Sequence, residues 1–396
     1  MSLRARLCAL GLLLAAAGTA SASLSDRDRA AITTVETSVV PLPGPVGSKE
    51  PAPLAQRLAE TKVPAISIAF IETDKVKWAR AYGRAVADGP RLVTPTTRFQ
   101  AASMSKAVAT FAALQMVDAG RLSLDQDVNE RLQSWRAPVF GAGAERVTLR
   151  RLLSHTAGLT VSGYPGYARG RPIPTAVQSL TGAPPANTAA VRAFAAPGAQ
   201  FAYSGGGFTA AQLLMTEASG AEFAALMQAQ LLRPAGMRRS TFAQGLPMDA
   251  ASGHGADGTP LPGGAHSHPE QAAAGLWTTP SDYGRFLIAV QAAVDGRPQA
   301  LLSRHIAREM ITPVLADFGL GVRVLRQDDR TRITHGGSNA GFRCQFTAFL
   351  DGRHEGLVIM TNGDGGGALA AAVQRTIARA YGWADLSTPP PNRAPN

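Results

Sequence analysis

The chain has 396 residues, of which 45% are hydrophobic and 17% are charged, so it can bury a full-sized core as one large domain or two intertwined ones. Its formal net charge is +11, but the basic residues are mostly scattered arginines, without a run of five and without a nucleic-acid motif. We therefore expect no nucleic-acid partner, while an anionic glycan of the cell envelope stays open as a partner.

The first 22 residues have the pattern of a signal peptide. Arg4 and Arg6 form a short basic region, residues 7–18 form an apolar run, and small residues precede Ala22. We expect cleavage after Ala22 and a periplasmic or secreted protein without a stable membrane anchor, because no other segment is long and apolar enough to span a bilayer. The remaining chain keeps one cysteine, Cys344, which excludes an internal disulfide.

The first part of the chain is expected to hold an irregular segment, a β-hairpin and a helix. Residues 23–53 are interpreted as an N-terminal segment whose last part, 40–53, is a proline-rich linker. The apolar, β-branched run Val63–Ile71 predicts a buried strand, and Val76–Tyr82 predicts its hairpin partner. Across 103–118 the apolar residues follow helical spacing, which predicts a helix with one apolar stripe.

The middle of the chain, about 120–300, has a mostly helical pattern that glycine and proline interrupt. Two segments within it, Ser162–Asn187 and Gly245–Gln271, exceed normal connection lengths, which is typical of lids or of walls around a substrate. A further helix is predicted to begin after Thr279, because this threonine cap is followed by Pro280 at the first helical position.

The last part of the chain returns to strands separated by short turns, and short turns join antiparallel neighbours. The predicted strands are Phe318–Leu325, Thr331–His335, Gly341–Phe349 and Gly356–Thr361. A final helix is predicted at about 368–381, and a proline-rich tail, 384–396, is expected to be disordered. These elements predict an α/β (α+β) fold: one antiparallel sheet of N- and C-terminal strands, flanked by helices, with an inserted and mostly helical region.

The sequence Ser103-Met104-Ser105-Lys106 places a serine and a lysine one helical turn apart. Residues i and i+3 share a helix face, so the hydroxyl of Ser103 and the amine of Lys106 can meet. Serine becomes a good nucleophile when a base removes its proton, and burial near the positive end of a helix favours the neutral amine that can do so. The backbone amide of Ser103 is a candidate donor to an oxyanion. The motif alone also fits a helix cap followed by a solvated lysine.

Two further segments carry candidate chemistry. Tyr203 lies among glycines, so we expect it on a loop, where its phenol would pass a proton to a leaving group; a packing aromatic is the alternative. His335 is followed by Gly336 and Gly337, and glycines in a strand let another backbone approach closely, which suits a substrate lying along an edge strand. The amide of Ser338 is then a candidate second oxyanion donor, and a simple tight turn is the alternative.

In this order, the three motifs resemble those of the serine β-lactamase and penicillin-binding-protein superfamily, in particular its class C-like serine hydrolases. The motifs are S-x-x-K at Ser103, Y-x-[N/G] at Tyr203 and [K/H]-x-G at His335. The stretch 152–159 is similar to a helix-and-turn signature of that group. The resemblance covers about residues 54–383 and implies a β-lactamase/transpeptidase-like domain there.

The resemblance also implies a set of roles. Ser103 would be acylated, Lys106 and Tyr203 would share proton transfer, and His335 would take the place of the third-motif lysine or histidine. No metal or organic cofactor would be needed. The substrate would be a small molecule or a peptide, with cell-wall fragments among the candidates, and the oligomeric state stays open.

Two positions depart from the pattern of many β-lactamases. Gly205 stands where the second motif often has an asparagine that holds a substrate amide, and His335 stands for lysine, as in D-peptidase and D-aminopeptidase branches. A histidine binds a carboxylate when protonated, or passes a hydrogen bond when neutral. Gly205, Trp277 and Glu270 are further candidates for substrate contact. His266-Ser267-His268 is a weak candidate for a metal pair, since no further Cys or His cluster supports one.

We therefore predict an exported serine hydrolase that forms an acyl-enzyme at Ser103 and hydrolyses an amide or an ester. A D-amino-acid peptide or a carboxylester is favoured over a β-lactam as substrate. Two alternatives stay open: a penicillin-binding-like protein that binds cell-wall peptides with little turnover, and an envelope scaffold that binds an anionic glycan. His155 is interpreted as a structural residue.

Overall fold

The computed structural model describes residues 24–44, 47, 49–141, 146–327 and 329–387. The predicted signal peptide and residues 388–396 of the predicted tail therefore lie outside the described residues. Within the described ranges, no helix has the length and apolar character needed to cross a membrane.

The chain forms strands toward both ends and helices throughout. The strands are β1 (Ala65–Glu72), β2 (Lys75–Gly83), β3 (Phe99–Gln100), β4 (Trp277–Thr278), β5 (Arg323–Gln327), β6 (Arg330–Asn339), β7 (Phe342–Phe349) and β8 (Gly356–Thr361). The α-helices are α1 (Asp26–Thr37), α2 (Leu54–Thr61), α3 (Ser105–Asp118), α4 (Leu149–Leu153), α5 (Ala176–Thr181), α6 (Gly205–Ser219), α7 (Phe223–Met227), α8 (Gln271–Ala274), α9 (Pro280–Asp295), α10 (Arg304–Met310), α11 (Gly366–Tyr381) and α12 (Ala384–Ser387). Short 3-10 turns span Ala102–Met104 and Val128–Glu130, and a π-helical turn spans Gln228–Leu232.

One antiparallel sheet combines strands from both ends of the chain. Its order is β2-β1-β8-β7-β6-β5, and every neighbouring pair is antiparallel. The two ends of the chain meet where β1 pairs with β8, with Ile66 opposite Thr361. The predicted fold class, an antiparallel sheet of N- and C-terminal strands flanked by helices, is therefore confirmed.

Helices cover both faces of this sheet, which explains why β1 and β8 are buried along nearly their whole length. Ile68 and Phe70 of β1 face a core shared with α1, α2 and α11. Ile71, on the other face, belongs to the larger core that contains α3, α6 and α9. The 3-10 turn Ala102–Met104 packs directly on β6 and β7, so the large core ends at the candidate nucleophile.

The described residues at the two ends of the segment 40–53 pack on the domain, which contradicts the prediction of a linker there. Val39 and Ala52 form an isolated antiparallel bridge, and Val40 and Leu42 are buried. Prolines favour an extended backbone, and here the extended chain lays its apolar side chains against the core of α11. The amide of Val40 donates to the Thr376 hydroxyl of that helix at 3.1 Å.

The middle region and the tail also differ from the sequence pattern. Helices α4 to α9 are mostly short, and irregular segments separate them, with α5 inside the predicted loop Ser162–Asn187. The tail predicted to be disordered is helical at Ala384–Ser387. Arg332 of β6 binds the Asp385 carboxylate at 2.6 Å, and the preceding Trp383 is fully buried, so these contacts order the start of the tail.

Strand β6 is longer than predicted and continues past His335 to Asn339. Strand β5 begins only at Arg323, because the chain before it turns, with the amide of Gly319 donating to the carbonyl of Val322. Strand β5 pairs with β6 no further than Thr334, opposite Arg323. Among the described residues, the edge of β6 beyond Thr334 therefore has no neighbouring strand on the β5 side.

Candidate active site

Ser103 lies in the 3-10 turn that leads into α3, and its surroundings fix the backbone before it. Ala102 has a φ of 46°, in the left-handed region that non-glycine residues rarely occupy and that is typical of functional sites. The amide of Ala101 donates to the carbonyl of Leu276 at 2.8 Å. The carbonyl of Ala101 accepts from the Cys344 thiol at 3.0 Å. The half-buried Ser103 side chain is thus presented by a turn held from two sides.

Lys106 meets Ser103 as the S-x-x-K spacing predicts. Its amine, Nζ, lies 3.3 Å from Ser103 Oγ and 2.7 Å from the carbonyl oxygen of Ala273. The lysine is 2% exposed, and within the described ranges it forms no ion pair with a carboxylate. The amine is therefore held in place by two neutral oxygens, one of which belongs to the candidate nucleophile.

The carbonyl that holds Lys106 belongs to α8. Hydrogen bonds from two buried side-chain amides hold this short helix in position. Gln212 donates to the carbonyl of Pro269 at 3.0 Å and accepts from the amide of Ala272 at 2.9 Å. The Asn339 side chain, from the end of β6, donates to the carbonyl of Ala274 at 3.2 Å. Neither residue is predicted from the sequence as part of the site. The signal that marks Gln212 is a glutamine inside an otherwise apolar stretch of α6.

Tyr203 stands beside this pair, as predicted. Its ring centre lies 5.0 Å from Lys106 Nζ and 6.0 Å from the ring centre of His335. The next residue, Ser204, caps α6 by accepting from the amide of Gly207. The tyrosine therefore sits at a fixed point, directly before the first turn of a buried helix.

His155 supports Tyr203 and was not recognised as a site residue from the sequence. Its ring lies against the Tyr203 ring with 4.2 Å between centres, and its Nδ1 accepts from the amide of Ser204 at 3.0 Å. Burial, and then the nearby Lys106 and His335, hold the pKa of His155 well below its ordinary value. His155 is thus neutral near pH 7, with Nδ1 free of a proton.

His335 is neutral as well, but with the other tautomer. Its Nδ1 donates to the carbonyl of Gly336, so the proton-free nitrogen is Nε2, which has no hydrogen-bond partner among the described residues. Burial, and then the charge of Lys106, lower the pKa of His335 to about 4. Of the two roles considered for this residue, the structure therefore supports the neutral hydrogen-bonding one and not a cationic site for a carboxylate.

The glycines after His335 bring β6 against the nucleophile turn. A Cβ on Gly337 would lie 2.4 Å from the Ala101 carbonyl and 2.4 Å from the Cys344 sulfur, so only glycine fits there. Gly336 and Ser338 are exposed, on the part of β6 that β5 does not cover. The three residues thus form an open strand edge next to Ser103.

Three predicted substrate contacts are buried and pack against other residues. Gly205 is buried at the start of α6, and its Cβ would lie 3.1 Å from the ring of Tyr164. Trp277 is 4% exposed and packs edge-to-face on Phe342, with ring centres 5.6 Å apart. Glu270 is fully buried. Burial therefore leaves these three positions little surface to offer a substrate.

Glu270 and the histidine pair fill the region behind α8. Glu270 accepts from the Ser179 hydroxyl at 2.6 Å, and burial raises its pKa. His268 is 2% exposed, while the ring of His266 contacts the carbonyl of Pro165 at 2.9 Å. Within the described ranges, no group of three or more His, Cys, Asp or Glu side chains is placed to hold a metal ion.

Comparison with known proteins agrees with this geometry. A family model described as Beta-lactamase matches residues 53–382. The chain belongs to the beta-lactamase family. The match covers all the motifs from which the resemblance was inferred and nearly all of the described fold.

Curated relatives of this beta-lactamase family member align over part of their length. Protein flp of Staphylococcus aureus (strain MRSA252) is 26% identical over 234 residues, which are 57% of this chain and 43% of that protein. Esterase EstB of Burkholderia gladioli is 33% identical over 85 residues, which are 22% of each chain. The chain therefore spans less than half the length of these relatives.

Solved structures share the fold at low sequence identity. The octameric penicillin-binding protein homologue from Pyrococcus abyssi superposes with a TM-score of 0.70 at 23% identity, covering 83% of this chain and 76% of that one. EstCE1, a hydrolase with promiscuous acyltransferase activity, superposes with a TM-score of 0.68 at 19% identity, covering 82% of this chain and 95% of that one. At such identities the likeness supports the fold alone.

Proposed function

We propose that this beta-lactamase family member is a serine hydrolase that forms an acyl-enzyme at Ser103 and hydrolyses an ester or an amide. The observation that carries the proposal is the contact of 3.3 Å between Lys106 Nζ and Ser103 Oγ. A buried amine beside a half-buried serine hydroxyl, presented by a strained turn, is the arrangement of a nucleophile and its base.

In the first half-reaction, the reacting form is the one in which the Lys106 amine has given up its proton, and this amine takes the proton of Ser103 as Oγ bonds to the substrate carbonyl carbon. The carbonyl oxygen becomes an oxyanion, to which the amides of Ser103 and Ser338 are the candidate donors. The bond to the leaving group then breaks, and the proton passes from Lys106 through Tyr203 to the leaving oxygen or nitrogen. In the second half-reaction, Lys106 takes a proton from a water molecule as the water oxygen bonds to the acyl carbon. The bond from that carbon to Ser103 Oγ then breaks, Oγ takes the proton back from Lys106, and the acid product leaves.

An ester with a neutral acyl group is the favoured substrate. His335 has a pKa of about 4, so near neutral pH it offers no positive charge to a substrate carboxylate. Gly205 offers no amide group, and the Tyr164 ring occupies the adjoining space. The relative named Esterase EstB, 33% identical over 85 residues, supports the same substrate class. A β-lactam, which carries both a carboxylate and an amide, fits less well.

A peptide with D-amino acids is the second candidate, and the open edge of β6 favours it. From His335 to Asn339 this strand has β7 on one side and no strand on the other among the described residues. An extended peptide can add to such an edge by backbone hydrogen bonds, which would place its carbonyl beside Ser103.

Activity-based labelling tests the proposal. The purified protein is treated with a fluorescent fluorophosphonate and assayed with p-nitrophenyl acetate, a D-Ala-D-Ala peptide and nitrocefin. We expect labelling and ester turnover by wild type and neither by Ser103→Ala. Ser105→Ala is the matched control, because the Ser105 hydroxyl accepts from the amide of Leu276 and should affect stability alone. Wild type that does not label, or Ser103→Ala that labels equally, contradicts the proposal and favours a binding protein or a glycan scaffold.

We also propose that the protein is exported, on the support of the N-terminal pattern that ends at Ala22. Mass spectrometry of the protein purified from the periplasm or the medium of an expressing bacterium should give an N-terminus at Ser23. An N-terminus upstream of Ala22 in protein found only in the cytoplasm contradicts export.

A further inference from the structure

Two phenylalanines, Phe201 and Phe318, form an aromatic wall beside the catalytic groups. Their ring centres are 5.2 Å apart. The ring centre of Phe318 lies 6.1 Å from that of His335. The ring centre of His155 lies 5.0 Å from that of Phe318 and 5.8 Å from that of Phe201. The aromatic wall therefore forms one continuous group of rings with His155, Tyr203 and His335.

The two members of the aromatic wall differ in exposure. Phe318 is 3% exposed, whereas Phe201 is 38% exposed although it lies two residues before Tyr203. A single exposed phenylalanine is ordinary on a protein surface. An exposed one that rests on a buried ring adjoining the catalytic groups leaves an apolar face uncovered close to them, and covering that face removes apolar area from water.

The described contacts of this face are with other rings, those of His155 and of the two phenylalanines with each other. Beside the rings, Arg323 binds the Asp317 carboxylate at 3.1 Å. His335 is neutral near pH 7. The chemistry of the face therefore suits an apolar group.

We propose that the aromatic wall binds an apolar, aryl or branched-alkyl leaving group, and that Phe201 is a residue that determines this specificity. The inference rests on the proposed function, because it assigns to the wall the group that Tyr203 protonates. Tyr203 adjoins the wall through His155, whose ring contacts both Tyr203 and Phe201. The part of the substrate beside Tyr203 is the part that departs, so the wall selects the alcohol or amine and leaves the acyl group unselected.

Two substrate series separate the leaving group from the acyl group. In the first, 2-naphthyl acetate is compared with methyl acetate; in the second, p-nitrophenyl octanoate is compared with p-nitrophenyl acetate. We expect Phe201→Ala to lower the kcat/KM ratio of the first pair about tenfold, mostly through KM, as an aromatic contact of roughly 1.4 kcal/mol implies. The ratio of the second pair should stay unchanged. Phe201→Leu should recover part of the preference.

A control and a binding measurement complete the test. Phe140→Ala removes another exposed phenylalanine, one without a ring contact to the described catalytic groups, and it should leave both ratios unchanged. The fluorescence of 2-naphthol reports its binding to Ser103→Ala and to the double variant Ser103→Ala/Phe201→Ala, where we expect an affinity about tenfold weaker.

The outcomes distinguish the two proposals. An unchanged first ratio in Phe201→Ala, a changed second ratio, or equal 2-naphthol binding by both inactive variants overturns the aromatic wall even if the enzyme hydrolyses esters. Wild type without any turnover, together with Phe201-dependent binding of 2-naphthol, counts against the proposed function and keeps the apolar subsite.

Discussion

His268 should make the folded protein sensitive to mild acid. The side chain is 2% exposed, and neither ring nitrogen has a hydrogen-bond partner among the described residues. Burial, and then the nearby His266 and Lys106, lower its pKa to about 3. A histidine in an unfolded chain titrates near 6.5, so below that pH the unfolded state binds a proton that the folded state does not.

The sign and size of the effect follow from these two values. Because the pKa of His268 is lower in the folded state, its contribution to stability is fully present above pH 6.5 and is lost as the pH falls toward 3. Each pH unit in this window costs about 1.4 kcal/mol. At pH 5 the loss in the free energy of unfolding is therefore about 2 kcal/mol from this residue.

Urea unfolding of His268→Leu and wild type at two pH values measures the contribution of His268 to the free energy of unfolding. Leucine has a similar size, and the ring nitrogens have no partner to lose, so we expect stability within about 1 kcal/mol of wild type at pH 7.5. At pH 5 the variant should exceed wild type by about 2 kcal/mol. The exposed His305 provides a control, and His305→Gln should follow wild type. If wild type loses no more stability than His268→Leu between pH 7.5 and pH 5, the reasoning is refuted.

Three further predictions concern the site. His155→Phe keeps a ring beside the tyrosine but leaves the Ser204 amide without its acceptor, so urea unfolding should show a loss of about 1–3 kcal/mol, and ester assays a lower kcat at similar KM; an unchanged kcat contradicts a positioning role. His335 has a pKa of about 4, so kcat/KM should fall as the pH drops through about 4, and this fall should be absent in His335→Gln. A His335-dependent fall near pH 6.5 would show that the imidazole is solvated and would contradict its burial. Gly205→Asn should clash with Tyr164, lose about 1 kcal/mol of stability and gain no nitrocefin hydrolysis; nitrocefin turnover by this variant at wild-type stability would show that the space is open.

Local sequence patterns predicted the parts of the fold that depend on interactions between residues close together in the sequence. Thr279 caps α9 and Pro280 occupies its first position, as the sequence indicates. The hairpin of β1 and β2 follows from two apolar runs around a short turn. The meeting of Ser103 and Lys106 needs only the geometry of one helical turn, so the candidate nucleophile and its base could be predicted as a pair.

Long-range packing decided the rest, and a single sequence does not reveal it. Glu270 and Trp277 were candidates for substrate contact, yet both are buried. Gln212 and Asn339 bind backbone carbonyls that are far away in the sequence, and the sequence does not specify which carbonyls these are. The proline-rich segment 40–53 has the composition of a linker, but its apolar residues Val40 and Leu42 are buried in the core that contains α11.

Mass spectrometry of the acylated protein tests the central claim most directly. The enzyme is mixed with p-nitrophenyl butyrate, quenched in acid within milliseconds and digested with trypsin, and the peptide 99–106 is fragmented. We predict a butyryl group on Ser103 and none on Ser105, and no adduct in the corresponding peptide of the Lys106→Met variant, which is 99–121 because trypsin no longer cuts at position 106. Turnover of the ester without any adduct in this peptide, or an adduct on another residue that accounts for turnover, would contradict the acyl-enzyme at Ser103.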